Sequence, residues 1–113
     1  MITSHVRFVS AEHEKSMNQV LHYVKNVLPS MASTKKNTWP IHDDHCFMRV
    51  ILDNICGCAW YETIPSPAYK NLTHEQASAA LKLAKQIANE QVSLHVLNQR
   101  SKFWRKKQLR LDF

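Results

Sequence analysis

Asp43-Asp44-His45-Cys46-Phe47-Met48-Arg49-Val50-Ile51-Leu52-Asp53-Asn54-Ile55-Cys56-Gly57 decides how the chain is read. Phe47, Val50, Ile51 and Ile55 line one side of a helix. Met48 and Leu52 widen that stripe over much of the circumference. A helix so apolar belongs in the centre of a core. Asp43 or Asp44 is placed to cap its start. Gly57 stands where a helix ends in a left-handed residue.

Gly57 is also the only glycine in 113 residues, where average usage gives about eight. Without others there is no glycine-rich dinucleotide or P-loop signature. Any anion must therefore be met by side chains, and no cofactor is expected. A length of 113 residues with 44% hydrophobic and 21% charged side chains fits one folded domain.

Upstream, the residues from Met1 to Val9 read as a short extended arm. Ser10 is placed as an N-cap, with Glu12 and Glu14 in the first turn where the helix dipole favours them. Met17, Val20, Leu21, Val24, Val27 and Leu28 then form one apolar face, and Pro29 is expected to end that helix. The segment from Ser30 to His42 reads as irregular, closing on Trp39-Pro40-Ile41.

Downstream, Cys58 to Leu72 reads as a loop with Pro65 and Pro67. Thr73-His74-Glu75-Gln76 is a capping box, and Leu72 and Ala77 are spaced for a hydrophobic staple. Ala77, Ala80, Leu81, Ala84, Ile87 and Ala88 form the buried face of the helix that follows. Asn89 is expected to stop it in the left-handed conformation. A last helix runs from about Val92 to Lys106, with Leu94, Leu97, Ser101 and Trp104 on one face and a basic tail over 107–113. The expected fold is all-α, a four-helix single domain with a short N-terminal arm.

The stretches His45-Cys46-Phe47-Met48-Arg49-Val50-Ile51-Leu52-Asp53-Asn54, Pro67-Ala68-Tyr69-Lys70-Asn71-Leu72-Thr73 and Leu97-Asn98-Gln99-Arg100-Ser101-Lys102-Phe103-Trp104-Arg105 resemble small uncharacterised bacterial proteins, some of them carried on integron mobile gene cassettes. The resemblance implies a small accessory protein that self-associates, and it brings no catalytic residues.

The net charge of +6 lies entirely in the second half of the chain. Arg100, Lys102, Arg105, Lys106, Lys107 and Arg110 concentrate it near the end, which points to an anionic partner. Trp39, Trp60, Tyr61 and Trp104 are candidate interface anchors, since Trp and Tyr favour such positions. The expected role is a cytosolic binding module acting as a homodimer, with Arg100, Lys102, Arg105, Lys106 and Lys107 facing the anionic partner.

Two other readings stand beside it. Leu83 to Ala88, a turn at Asn89-Glu90-Gln91, and Val92 to Arg100 resemble a divergent helix-turn-helix within residues 81–107, with Asn98, Gln99 and Arg100 as base readers. Cys46, in the first turn of the central helix beside His42 and His45, fits a thiol enzyme. A shared zinc site is excluded by distance, because ten residues of helix set Cys46 and Cys56 about 15 Å apart. Three cysteines leave no closed disulfide framework. No stretch is long enough to cross a bilayer, and Met1 to Ser10 carries no secretory pattern, so a cytoplasmic location is expected.

Overall fold

A computed structural model of the chain describes residues 13–35 and 38–111, with the backbone alone for 107–111. The expected arm over residues 1–9 and the cap at Ser10 lie outside the described residues. The fold is all-α. Helix α1 covers 13–34, α2 Asp44–Cys56, α3 Ala68–Asn71, α4 His74–Ala88 and α5 Leu94–Leu111. No strand occurs among the described residues.

α1 does not stop at Pro29. Its middle turn, Tyr23–Val27, is π-helical, and α-helix resumes over Leu28–Thr34. The buried residues Val20, Val24, Leu28 and Ala32 are spaced by four. Three such steps carry a side chain about 120° round a 3.6-residue helix. The wide π-turn absorbs an extra residue and brings Leu28 and Ala32 back to the core. It also accommodates Pro29. The Leu28 N–H donates to the Tyr23 carbonyl, five residues back, and Pro29 falls at the start of the resumed α-helix. There a missing N–H is tolerated.

α2 is the hub, packed against α1, α4, α5 and the 3₁₀ turn Trp60–Glu62. Phe47, Val50, Ile51 and Leu52 are fully buried in it. Gly57 ends α2 at φ 71°, with the N–H groups of Gly57 and Cys58 both donating to the Asp53 carbonyl at 2.8 and 3.3 Å. α4 starts as expected: Gln76 N–H donates to Thr73 Oγ1 at 3.1 Å, and Thr73 N–H to Gln76 Oε1 at 2.9 Å. Its alanine face, Ala77, Ala80 and Ala84, is fully buried.

The end of α4 differs from expectation. Asn89 has φ −89°, and Glu90 is the left-handed residue at φ 56°. Glu90 N–H donates to Ile87 O and Gln91 N–H to Gln86 O, the two bonds of a Schellman ending. Lys35 Nζ holds Glu90 at 2.9 Å, tying this turn to the end of α1. Helix α5 runs beyond the expected end near Lys106 to Leu111, so the backbone of 107–111 is helical.

A Cβ added at Gly57 would meet nothing within 4 Å, so any cost there is conformational alone. Gly57→Ala is expected to destabilise the fold by about 1 kcal/mol. An unchanged denaturation midpoint would contradict that assignment.

Candidate functional site

Asp53 shares the inward side of α2 and is completely buried. A carboxylate removed from water must be paired and hydrogen-bonded. Four bonds meet it. Arg105 straddles it, Nε to Oδ2 at 2.8 Å and Nη2 to Oδ1 at 3.2 Å. Ser101 Oγ donates to Oδ2 at 2.6 Å, and the Trp60 N–H donates to Oδ1 at 2.9 Å. The pairing holds the Arg105 guanidinium even more firmly protonated than usual, chiefly through its hydrogen bond to Asp53.

The network continues outward. Arg49 Nη1 donates to Ser101 Oγ at 2.9 Å and Nη2 to Asn98 Oδ1 at 3.0 Å. Asn54 Nδ2 bridges the carbonyls of Val50 and Leu97 at 2.8 and 2.9 Å. Asn98, Ser101 and Arg105 are spaced i, i+3, i+7, so they form one stripe of α5. The stripe locks α5 onto α2.

This places the expected site residues in three groups. Trp39 is a core residue, 9% exposed and edge-on to Phe47 at 5.8 Å. Arg105 is turned inward to Asp53 and does not stand free for an external anion. Trp60 is half-buried and Tyr61 is 47% exposed. Tyr61 lies under Arg105 at 5.2 Å and edge-on to Trp60 at 5.8 Å. Trp104 is half-buried. Arg100, Lys102 and Lys106 are exposed, with no ion pair among the described residues. The side chain of Lys107 lies outside the described residues.

α5 carries an unexpected feature on its outer face. Val96 is 44% and Phe103 61% exposed, seven residues apart on one side, with Arg100 between them. A second feature lies between α1 and α2. A groove of about 540 Å³ is lined by Leu21, Val24 and Lys25 from α1 and by Asp44, His45, Met48 and Arg49 from α2, with Trp60 and Tyr69 beside them.

Asn98, an expected base reader, faces inward in this fold. Its side chain is 4% exposed and accepts from Arg49, so it cannot reach a base edge. α5 packs chiefly on α2, whereas a helix-turn-helix braces its second helix on its first. Cys46 packs against the main core, and His45 Nδ1 is 2.9 Å from Asp44. Among the described residues, no three of His, Cys, Asp and Glu group to hold a metal, and no helix is long and apolar enough to cross a membrane.

No protein-family model matches the chain, and neither a curated protein nor a solved structure is similar to it. The geometry therefore carries the functional argument.

Asp53→Asn is expected to destabilise the fold by about 2–3 kcal/mol, less than a fully buried pair because Arg105 is 30% exposed. Arg105→Met should cost a similar amount by stranding the carboxylate. Urea midpoints within error of the parent in both variants would refute this. Burial, the neighbouring Cys56 and the charge of Glu62 push the Cys58 thiol above its ordinary range. Its alkylation is therefore expected to lag behind that of the urea-unfolded chain near pH 8 and to catch up in more alkaline buffer. Equal rates near pH 8 would contradict the assignment.

Proposed function

We infer that the protein is a small binding module that docks an acidic, amphipathic polypeptide segment on the outer face of α5. The observation that carries this is the pairing of exposed apolar and cationic side chains there. Phe103 and Val96 supply an apolar strip, and Arg100, Lys102 and Lys106 surround it. No acidic residue occurs from Gln91 to Leu111, so the helix has no internal counter-charge. An amphipathic helix with acidic flanks matches both parts, with its apolar stripe on Phe103 and its carboxylates on the cations.

Duplex DNA is the weaker fit. It answers the charge but offers little apolar surface to Phe103 along its phosphates. A second copy of the chain is weaker still on this face, because Arg100, Lys102 and Lys106 would oppose their own equivalents. The self-association and accessory role implied by the resemblance to bacterial cassette proteins would then use another surface. A cytosolic setting accords with three free cysteines.

The test is a titration with a leucine- and glutamate-rich helical peptide, run beside a mixed-sequence DNA duplex. The peptide should bind more tightly than the duplex, and its binding should weaken in high salt. Phe103→Ser should lower its affinity tenfold or more, in the manner of an aromatic hot spot. The double variant Arg100→Glu with Lys102→Glu should abolish binding, while both proteins keep their stability to within about 0.5 kcal/mol. Tighter binding of the duplex, unaffected by Phe103→Ser, would overturn this reading in favour of DNA.

A further inference from the structure

We propose that the groove between α1 and α2 is a binding site for a small amphipathic carboxylate, with its apolar body against the aromatic wall and its anion between Lys25 and Arg49. The site is separate from the outer face of α5. Its volume of about 540 Å³ is of the size that holds small ligands.

The walls set the chemistry of the body. Leu21, Val24 and Met48 form an apolar floor, and Trp60 and Tyr69 stand beside it. Tyr69 is 47% exposed, so its ring offers open surface. A second hollow, lined by Met17, Asn18 and Lys70 among others, shares Leu21 and Tyr69 with the first. An aryl or alkyl chain running past Tyr69 therefore meets Met17 beside the polar side chains of His13, Glu14, Asn18 and Lys70.

The charges set the chemistry of the head. Asp44 adds one negative charge to the lining, with its Oδ1 accepting from the His45 N–H at 2.7 Å and lying 2.9 Å from the His45 ring. Lys25 and Arg49 together leave the lining with a positive surplus. Lys25 has no ion pair among the described residues. Arg49 donates to Ser101 Oγ and Asn98 Oδ1, which are both neutral. The nearest buried carboxylate, Asp53, is reached only through Ser101 and is already straddled by Arg105. Arg49 therefore brings a positive charge to the groove with no carboxylate in contact with it among the described residues. A half-buried cation with neutral partners and unused donors favours an incoming anion.

The backbone brings Lys25 into this position. It lies inside the π-turn Tyr23–Val27. That turn re-aims the side chains it carries relative to a continuous α-helix. Leu21, Val24 and Lys25 are spaced i, i+3, i+4, so they share one side of α1 and line the same groove.

The test is isothermal calorimetry of the full chain with phenylbutyrate, phenylbutanol and phenylbutylamine, which share a body and differ in charge. The carboxylate should bind at least about fivefold more tightly than the alcohol, and the amine least. Lys25 is exposed, so Lys25→Glu should leave the fold intact, as circular dichroism and the melting temperature would show. That variant should lose most of the preference for the carboxylate. Met48→Glu, which charges the floor, should weaken all three ligands, and Lys102→Glu on α5 should change none. Binding of the alcohol or amine as tight as that of the carboxylate would overturn the proposal. So would phenylbutyrate affinity unchanged in Lys25→Glu, or no binding by any of the three.

Discussion

The burial of one carboxylate constrains the rest of the molecule. Asp53 sits at full burial in the last turns of the hub helix. A bare carboxylate there would cost several kcal/mol, so the fold forms only with its partners in place. Those partners come from distant points in the chain. Arg105 and Ser101 fix the axial position of α5, and the Trp60 N–H fixes the 3₁₀ turn after α2. Gly57 takes part as well. Its left-handed backbone turns the chain so that Trp60, only seven residues beyond Asp53, can reach back to it. A side-chain charge, a backbone reversal and a helix register are thereby coupled.

The π-turn of α1 answers a different constraint. A run of four-residue steps cannot stay on one face of an ordinary α-helix, and a proline inside that helix collides with the carbonyl four residues before it. Here both conflicts fall at the same place, and one widened turn accommodates both. Lys25, which lines the groove, belongs to the same turn.

Much of the fold was legible in the sequence. Thr73 and Gln76 specify a start that needs no tertiary information, and Gly57 marks an end for the same reason. The central stripe of Phe47, Val50 and Ile51 follows from periodicity alone. What escaped depends on contacts between distant segments. Pro29 looked terminal because a π-turn has no local signature. Glu90 took the left-handed position expected of Asn89, where Lys35, 55 residues away, holds its side chain. The site was less legible. Asp53 gave a signal, a carboxylate three residues from Val50 on an apolar stripe, but its partner was hidden. Arg105 stood among other cations, and no property of the sequence separates the inward arginine from the outward ones. Asn98 looked like a base reader because its amide suits that task, while its burial depended on Arg49.

That division of the cations explains how a weakly apolar helix can be both anchored and available. α5 has few large apolar residues on its inner face, chiefly Leu94 and Leu97, with the buried polar Asn98 and Ser101 continuing that face. Hydrophobic burial alone would leave its register loose, since two leucines can slide along a groove. Hydrogen bonds to a buried carboxylate are directional, so they select one register. They also select one cation. An external carboxylate approaching Arg105 would compete with Asp53, which is dry and already bidentate, while the newcomer remains screened by water. Arg105 would therefore stay inward beside an external carboxylate. Arg100, Lys102 and Lys106 have no such competitor among the described residues, and the anchoring of α5 leaves their charge free to act outside.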